Sequence, residues 1–468
     1  MMQTVCSLDL GTSIIKSALV DSHGRITASA TAAAPALEGA DMVFDADAYV
    51  AKTVQVMGEL IQSVDARQIS IEGISISSQR ASLVLLGDDG APLCPVYSWV
   101  GTSCAEAADN FFRRFGPDKY HQLTGLPSAP IYSLAKLVSL KERLPDVFAK
   151  AAHIGTLHDY VMLRLGANAW VTDHSNGSAT GMYDITRKKW SSELLDAVGL
   201  PENTLPRLEN AGSKAGILCH EVAKETAIAH GTPLYVGAGD QQCAVFGAGA
   251  LEKGECLISL GTAAVAAVSF DDLPKRRPKG VLLLSHVLPD FWHAEGFMNA
   301  FGSALEWTAK ILHCDGAAEV EALAAKAPDG AQEVVFLPHL AGIGTPDMSG
   351  TAKGSFSGLC LSTTREQMAR AVFDGLANEV GRIATALSAV TPITSLTLVG
   401  GGRGKDLFPQ LLADVTRLPV FKTSESEAAL IGAAALAWAG SGYYSDPADA
   451  IRAFGSDLKG DSYGAMET

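Results

Sequence analysis

The chain has 468 residues, and its 36 Lys and Arg residues against 51 Asp and Glu residues give a formal net charge of −15 at pH 7. This length exceeds one ordinary domain and suits two large α/β domains. Because negative charge repels phosphate backbones and anionic lipid headgroups, the composition argues against nucleic acid and membrane surfaces as partners.

The sequence carries no targeting or membrane-spanning pattern. Residues 1–5 lack the basic start and small-residue cleavage site of a signal peptide. The longest uncharged apolar run, 256–270, is shorter than the roughly 18 to 20 residues that a membrane span requires. The eight cysteines form no Cys-x-x-Cys pair, which predicts neither a zinc site nor a disulfide framework. We expect a cytoplasmic protein.

The first predicted elements are those of a β-meander that opens an α/β domain. Apolar runs predict strands over 5–10 and 14–20, separated by a tight turn at Gly11-Thr12-Ser13, and a third strand begins at Arg25. Helical spacing of apolar residues follows over 47–64, and alternation predicts a strand over 69–76.

Later elements predict a second α/β region. The pattern over 123–206 is mostly helical, and an apolar strand over 233–236 starts a new α/β run. Near the C-terminus, a strand over 396–399 leads into the glycine-rich loop 400–404 and then a helix over 407–416. A glycine loop between strand and helix suits close approach by a flat nucleotide.

Two short segments of the sequence are similar to each other. Residues 6–13 align with residues 256–263, each as strand, Gly-Thr turn and strand. Two similar halves that face each other would place both turns at one cleft, whereas chance resemblance of two apolar hairpins is the alternative. The copies differ at one position, because Asp9 of the first corresponds to Ser259 of the second.

Both turns suit phosphate binding. Glycine lets backbone N–H groups approach an anion, Lys16 adds positive charge, and Asp9 is placed to hold Mg²⁺ through water. Gly261-Thr262 is the second such turn. The alternative is that each Gly-Thr hairpin is an ordinary turn.

Asp240 is a second acid in a glycine-rich setting, Gly237-Ala238-Gly239-Asp240-Gln241-Gln242, directly after an apolar strand. An isolated Asp at such a place is commonly a turn former or helix N-cap. Phosphoryl transfer needs a base, a metal and donors around the γ-phosphate, and Asp9 with Asp240 would supply two of these parts.

Together these motifs resemble the FGGY family of carbohydrate kinases, in the xylulokinase and glycerol kinase group of the actin/hexokinase/heat-shock ATPase superfamily. The resemblance extends over nearly the whole chain. Its strongest part is Gly354-Ser355-Phe356-Ser357-Gly358-Leu359 followed by the helix that starts near Gln367, which is similar to the family's second signature. Within that stretch, Thr364 and Gln367 predict a capping box.

The resemblance implies an α/β fold of two actin/hexokinase-like (ribonuclease H-like) domains with a cleft between them. The implied boundaries are 1–245 for an N-terminal domain with the sugar side and the first phosphate turn, 246–445 for a C-terminal nucleotide domain, and 446–468 for a tail. The implied cofactors are ATP and Mg²⁺.

The resemblance also assigns roles to individual residues. Asp240 matches the catalytic base, and Asp9 with Asp240 matches the metal-associated acids. The positions that match nucleotide contacts are Gly11, Thr12, Ser13, Lys16, Gly261, Thr262, Gly302, Glu306, Gly401, Gly402 and Lys405. Those expected to contact the sugar are Gln79, Arg80, Trp99, Asp240 and Gln241.

The sugar side departs from the family pattern. Gln79-Arg80-Ala81 stands where glycerol kinases have Gln-Arg-Glu and xylulokinases have Gln-Met-His, and Ala81 offers no polar group. The expected activity is therefore an ATP-dependent kinase acting on a primary hydroxyl of a small sugar, with a pentulose such as xylulose as the first candidate. Another ketose, glycerol, a tetritol or an aldonic acid is the alternative.

An alternative of a different class is an ATP-switched binding or regulatory protein of the same superfamily. Retention of Asp240-Gln241 and the second signature favours the kinase. The expected partner is a small sugar or polyol, and a homodimer is compatible with the sequence, which fixes neither the sugar nor the oligomeric state.

Overall fold

The computed structural model describes residues 1–423, 427–454 and 460–466, which form two compact units. The first unit comprises Met1–Gly249, Leu283–Trp292 and residues 428–454; the second comprises Ala250–Leu282, His293–Glu427 and residues 460–466. The first unit is thus discontinuous in sequence. The predicted boundaries at 245 and 445 stay predictions.

The first unit begins with alternating strands and helices. Its strands are β1 (Met2–Leu10), β2 (Ile14–Asp21), β3 (Ile26–Ala33), β4 (Val43–Phe44), β5 (Ile69–Ser78), β6 (Leu83–Leu86), β7 (Val96–Tyr97), β8 (His153–Thr156), β9 (Val171–Asp173), β10 (Tyr183–Asp184), β11 (Lys189–Trp190), β12 (Arg207–Glu209), β13 (Lys214–Ile217), β14 (Pro233–Tyr235) and β15 (Ala238–Gly239). Its helices up to residue 249 are α1 (Ala46–Gln62), α2 (Ala105–Phe115), α3 (Pro117–Thr124), α4 (Ser133–Arg143), α5 (Pro145–Lys150), α6 (Leu157–Leu165), α7 (His174–Ala179), α8 (Ser192–Val198), α9 (His220–Thr226) and α10 (Asp240–Gly247), with 3₁₀ turns at Ala66–Gln68 and Glu202–Thr204.

The remaining elements complete both units. The later strands are β16 (Glu255–Leu260), β17 (Ala264–Phe270), β18 (Leu282–Ser285), β19 (Trp292–Met298), β20 (Val335–Leu337), β21 (Ser355–Ser357), β22 (Ser395–Val399), β23 (Val420–Lys422) and β24 (Asp461–Tyr463). The second unit's helices are α11 (Gly302–Ile311), α12 (Ala317–Ala324), α13 (Arg365–Leu387) and α14 (Leu407–Thr416), with 3₁₀ turns at Asp329–Glu333 and Gly401–Arg403. Helices α15 (Ala428–Gly440) and α16 (Pro447–Phe454) belong to the first unit.

The main sheet of the first unit has the order β13-β14-β5-β1-β2-β3, and β15 also pairs with β5. β1 is antiparallel to β2 and parallel to β5. Val5, Cys6, Leu8 and Leu10 of β1 are all buried. Burial of successive residues, which point to opposite faces, means that both faces of this central strand are covered.

Helices α10 and α15 pack closely in the first unit through two glycines. A Cβ on Gly247 would lie 1.9 Å from the carbonyl oxygen of Ala428, and one on Gly432 would lie 2.1 Å from that of Cys243. No side chain fits at either distance, so glycine sets how near the two backbones come. The position of α10 in the unit therefore depends on these contacts.

The second unit repeats the local plan of the first. β16 and β17 form an antiparallel hairpin, and β16 is parallel to β22. The unit's strands follow the order β19-β17-β16-β22-β23-β24. The predicted similarity of two strand-turn-strand hairpins is confirmed. The first strand of each hairpin also pairs with a parallel strand, β1 with β5 and β16 with β22.

Most predicted elements are present, with one correction. The helix over 407–416 matches α14, and the predicted capping box at α13 is confirmed, since Thr364 N donates to Gln367 Oε1 at 2.8 Å and Gln367 N to Thr364 Oγ1 at 3.3 Å. The mostly helical pattern expected over 123–206 is wrong in part, because the short strands β8 to β11 interrupt it. These strands have two to four residues, too few to reveal alternation. None of the helices in the described parts of the chain is long and apolar enough to cross a membrane.

Candidate active site

The first Gly-Thr turn joins β1 to β2. Asp9 pairs with Lys16 across the hairpin, and Gly11 N donates to Ile14 O at 3.1 Å. A Cβ on Gly11 would lie 2.5 Å from that same oxygen, so glycine is required to close the turn. Thr12 and Ser13 follow between the two strands, where a phosphate could reach their backbone N–H groups.

Three side chains brace this turn. Tyr49 donates its hydroxyl to Gly11 O at 2.7 Å, Gln79 Nε2 donates to the same oxygen at 3.2 Å, and Trp99 Nε1 donates to Thr12 Oγ1 at 2.9 Å. Gln79 is 1% exposed, and its Oε1 accepts from Ser82 Oγ at 2.8 Å. These bonds indicate that Gln79 positions the turn, and its predicted contact with the sugar stays a prediction.

Asp9, near the end of β1, and Asp240, directly after β15, lie where parallel strands end at one edge of the sheet. Asp9 lies opposite Ser77 of β5, and Ser77 lies opposite Ala238 of β15, two residues before Asp240. The Ser77 hydroxyl donates to Asp9 Oδ1 at 2.8 Å. The carboxyl ends of parallel strands form the usual ligand-binding edge of an α/β sheet. Both predicted acids are thus brought to the same edge, within one unit.

Asp240 is the first residue of α10 and forms an ion pair with Arg80. Arg80 Nε lies 3.2 Å from Asp240 Oδ1. The arginine stem lies over Gly239, where a Cβ would come 2.6 Å from Arg80 Cδ. Gln241 is half-buried beside Asp240. A neighbouring guanidinium favours the ionised form of a carboxylate, which is the form that a general base needs.

A buried thiol lies beneath this acidic edge. Burial raises the pKa of the Cys243 thiol well above its usual range, and the carboxylates of Asp173, Asp9 and Asp240 raise it further. Cys243 is therefore a neutral apolar group at working pH. Asp173 itself caps α7 by accepting from Ser175 N and Asn176 N.

Lys136 of α4 holds the segment that carries Trp99. Its Nζ donates to the carbonyl oxygens of Pro130 at 3.0 Å, Ile131 at 3.1 Å and Trp99 at 3.3 Å. The side chain is buried, and burial lowers the pKa of Lys136 to about 8.

Ala81, in the position that departs from the family pattern, is buried with φ of +61°.

The second Gly-Thr turn is held by the start of a helix. Gly302 N donates to Gly261 O at 3.0 Å, and Phe301 N and Ser303 N donate to Thr262 O at 2.9 and 3.2 Å. A Cβ on Gly302 would lie 2.6 Å from Gly261 O, which explains the glycine at the start of α11. Around Gly261 itself there is room, because the nearest atom to a Cβ there is Ala263 O at 3.8 Å.

The glycine loop follows β22 beside this turn. Val399 is paired with Ser259, and Gly400 has φ of +91° with Leu260 O only 2.6 Å from the place of a Cβ. Gly401 and Gly402 continue the loop, and the side chain of Lys405 is exposed. Glu306 is exposed on α11, one turn after Gly302.

The predicted site residues therefore fall into two groups. The first unit contains Asp9, Gly11, Thr12, Ser13, Lys16, Gln79, Arg80, Trp99, Asp240 and Gln241, and the second contains Gly261, Thr262, Gly302, Glu306, Gly401, Gly402 and Lys405. Sequence reasoning missed the residues that support the first group, namely Tyr49, Ser77 and Lys136. A role for Ser77 follows only from the pairing of β1 with β5, which places Ser77 opposite Asp9.

Asp9 and Asp240 are the predicted ligands of Mg²⁺. Across the described residues, no group of three or more His, Cys, Asp or Glu side chains is placed to hold a metal ion. Mg²⁺ commonly uses only one or two carboxylates and takes its other ligands from water and substrate phosphates. Asp9 and Asp240 supply hard oxygen donors of this kind, so the donor set fits Mg²⁺.

The architecture defines a class of enzyme. Two α/β units, each with a Gly-Thr hairpin beside a parallel strand, are the architecture of the two-domain actin/hexokinase-like phosphotransferases. The N-terminal domain of the FGGY family of carbohydrate kinases matches residues 4–247, and its C-terminal domain matches residues 256–441. The chain belongs to this family.

Individual relatives agree with this assignment. The chain is 28% identical over 452 residues to xylulose kinase of Bacillus subtilis, covering 95% of this chain and 89% of that protein. It is 30% identical over 422 residues to glycerol kinase of Myxococcus xanthus, covering 87% and 84%. The crystal structure of gluconate kinase from Lactobacillus acidophilus, 24% identical, superposes with a TM-score of 0.92 over 100% of this chain and 94% of that one, and confirms the fold.

The protein is therefore a carbohydrate kinase, a phosphotransferase with an alcohol group as acceptor. Kinases of this family use ATP as the phosphate donor, generally with Mg²⁺. Relatives named xylulose kinase are the most common, and glycerol and gluconate kinases also match.

Gly261→Val tests the second turn as a nucleotide contact. Because the space around Gly261 is open, the variant should fold, while its side chain should block close approach of a phosphate. We expect the KM for ATP to rise about tenfold or more, equivalent to about 1.4 kcal/mol of lost binding. Steady-state kinetics would measure this, with Gly350→Val, another glycine with open space in the same unit, as the control. An unchanged KM for ATP in folded Gly261→Val would contradict the assignment.

Lys136→Met tests the buried ammonium. In the folded protein Lys136 loses its proton near pH 8, whereas an unfolded lysine keeps it to about pH 10.5. The unfolded state then binds more protons, so this group makes stability rise with pH across that window. The unfolding free energy of the wild type relative to Lys136→Met should increase by about 1 kcal/mol per pH unit from about pH 8 to pH 10.

Urea unfolding at several pH values would measure this difference. Lys150→Met, at an exposed lysine of α5, is the matched control and should follow the wild type at every pH. Parallel curves for the wild type and Lys136→Met would show that Lys136 keeps its ordinary proton affinity.

Proposed function

We propose that this protein is an ATP- and Mg²⁺-dependent kinase that phosphorylates a primary hydroxyl of a small sugar, with a pentulose such as xylulose as the first candidate. The observation that carries the proposal is the convergence of Asp9 and Asp240 at the carboxyl edge of β1, β5 and β15. Phosphoryl transfer needs positioning and charge stabilisation more than covalent chemistry from the protein. This edge offers an acid for metal, an acid for the proton and a glycine turn between strands.

Asp240 is proposed as the general base. Its carboxylate accepts the proton of the sugar hydroxyl while that oxygen forms a bond to the γ-phosphorus, and the bond between this phosphorus and the oxygen that bridges it to the β-phosphate breaks to release ADP. Arg80, 3.2 Å from Asp240 Oδ1, orients the carboxylate. The position of Asp240 at the start of α10 places the base on a rigid element.

Asp9 is proposed as the acid that holds Mg²⁺, through water or directly. The Ser77 hydroxyl bonds its Oδ1 at 2.8 Å and so sets the orientation of the carboxylate. The metal, when bound, offsets the negative charge of the phosphates. The backbone N–H groups of the turn at Gly11, Thr12 and Ser13 are proposed to contact the transferring phosphoryl group, and Lys16 supplies positive charge.

The nucleotide contacts of the second unit are proposed for the turn at Gly261-Thr262, the start of α11 and the glycine loop. Gly302 and Glu306 lie one helical turn apart on α11, and Gly401, Gly402 and Lys405 lie in the loop. Glycine at each approach point leaves the backbone open to a flat ligand.

The sugar preference depends on the pair Arg80-Ala81. A pentulose is supported by the predominance of xylulose kinases among the relatives, although Ala81 lacks the imidazole that xylulokinases have there. An aldonic acid is the second candidate, because a substrate carboxylate could compete with Asp240 for the Arg80 guanidinium, which lies 3.2 Å from Asp240. The expected cytoplasmic location and the homodimer, which is compatible with the sequence, stay predictions.

Asp240→Asn tests the base. The substitution keeps the size of the side chain but removes the basic oxygen, so kcat should fall by about 10²- to 10⁴-fold with binding of sugar and ATP largely retained. Single-turnover phosphoryl transfer with calorimetric binding of both substrates would measure this. Asp109→Asn, at an exposed acid of α2 in the same unit, is the matched control. Transfer by Asp240→Asn within about threefold of the wild type, far below the general-base range, would rule out Asp240 as the base.

Arg80→Met combined with Ala81→His tests the sugar site. The double substitution installs the pair found in xylulokinases, and His is among the residues that tolerate the positive φ observed at Ala81. The ratio of kcat/KM for xylulose to that for an aldonic acid should rise about tenfold or more, which corresponds to about 1.4 kcal/mol. A coupled ADP-release assay over ketoses, polyols and aldonic acids would show it. Removal of the Arg80–Asp240 ion pair can lower the rate on every substrate alike, so the ratio is the deciding quantity, and an unchanged ratio would contradict a role of the pair in sugar preference.

A further inference from the structure

The end of the glycine loop is held by a buried carboxylate. Glu321, on α12, is 7% exposed. Both of its carboxylate oxygens accept from Lys405 N at 3.0 Å, and Oε1 also accepts from Leu407 N at 3.3 Å. Gly404, with φ of +64°, passes so near that a Cβ there would lie 3.1 Å from Oε2. The loop is therefore shaped around this carboxylate.

Lys405 is also held through its carbonyl group. Lys422 of β23 donates its Nζ to Lys405 O at 2.8 Å. Its ammonium also lies 3.7 Å from the carboxylate of Asp406, whose Oδ1 accepts from the Tyr463 hydroxyl at 2.7 Å. Glu321 thus binds the N–H of Lys405 and Lys422 binds its carbonyl, so the backbone at the loop end is fixed in both directions.

We propose that Glu321 and Lys422 are positioning residues for the nucleotide, which act by fixing the backbone of the loop 400–405. The proposal rests on the proposed nucleotide role of that loop. Hydrogen bonds to charged groups are stronger than neutral ones, and here they constrain a segment with four glycines, 400–402 and 404, a residue type with more backbone freedom than any other. A preordered loop loses less conformational freedom when it binds a ligand, so its affinity is higher.

Glu321 differs from its neighbour Glu319, which accepts from Asp315 N at 2.7 Å just before α12. Glu321 instead bonds residues more than 80 positions later. Leu407 is the first residue of α14, so the same carboxylate also accepts an N–H at the start of that helix, where no intrahelical acceptor is available. Glu321 therefore joins α12 to the end of the glycine loop and to the start of α14.

The test uses the full chain with the variants Glu321→Ala, Glu321→Gln and Lys422→Met. Glu319→Ala is the matched control, because it also removes a glutamate of α12 that accepts a backbone N–H, but one outside the loop. Dissociation constants for ADP and for ATP would be measured by calorimetry, and KM for ATP, KM for the sugar and kcat by the coupled assay.

We expect Glu321→Ala to raise the dissociation constant for ADP and the KM for ATP about tenfold, with the KM for the sugar unchanged. Glu321→Gln keeps one acceptor oxygen and should restore most of the affinity, while Lys422→Met should weaken binding about threefold, since it removes one of the bonds to the loop. Glu319→Ala should bind like the wild type.

Several outcomes would overturn the proposal. They are unchanged ADP affinity in folded Glu321→Ala, an equal rise in the KM values for ATP and sugar, or the same loss in Glu319→Ala. If Glu321→Ala fails to fold, Lys422→Met decides, and unchanged ADP affinity there would overturn it. Absence of nucleotide binding by the wild type would instead refute the proposed function. If the wild type binds nucleotide but turns over no sugar, the ADP dissociation constants of the variants still decide the role of Glu321 and Lys422.

Discussion

The candidate site depends above all on the register of the parallel strands β1, β5 and β15. Asp9 lies opposite Ser77, and Ser77 opposite Ala238, so two acids far apart in the sequence reach the same edge of the sheet. A shift of one residue in this pairing would turn Asp9 to the other face of the sheet, because side chains alternate along a strand. Both faces of β1 are buried, so such a shift would move Leu8 and Leu10 into the places of smaller neighbours such as Ser7, which the close packing of a core opposes. Packing of the core and geometry of the site are therefore set by one register.

Glycine contributes to the site mainly by letting backbones approach one another. Gly237 lies so close to β5 that a Cβ would come 1.8 Å from Ile76 O, and Gly247 and Gly432 allow α10 to pack against α15. These contacts leave α10 little freedom, and α10 begins with Asp240. Catalytic groups need to be held within a fraction of an ångström of productive geometry, and rigid elements do this better than loops. The glycines that flank Asp240 thus matter for precision as well as for access.

The local motifs were predictable from the sequence, but most of their supports were not. The hairpins, the helix α14 and the capping box of α13 follow from patterns within a few residues, and the structure confirms them. The ion pair of Arg80 with Asp240 and the bonds from Glu321 to the glycine loop join residues that no local pattern relates. Arg80 pairs with the proposed base, and its predicted contact with the sugar stays a prediction. Such long-range polar contacts are decided by tertiary packing, which one sequence does not reveal.

Helix α15 carries a consequence for how this protein is made. It follows the entire second unit in the chain, yet it packs on the first sheet, where Ser7 Oγ donates to Leu430 O at 2.6 Å and Trp438 Nε1 to Asp21 O at 3.1 Å. During synthesis on the ribosome, the N-terminal sheet emerges long before the helix that covers it. At about 5 to 20 residues per second, the roughly 350 residues between β5 and α15 take tens of seconds to add. For that time β1 and β5 have no permanent cover on this face. The second unit also takes its last strand, β24, from residues that follow α16, so neither unit is complete until the end of the chain has been made.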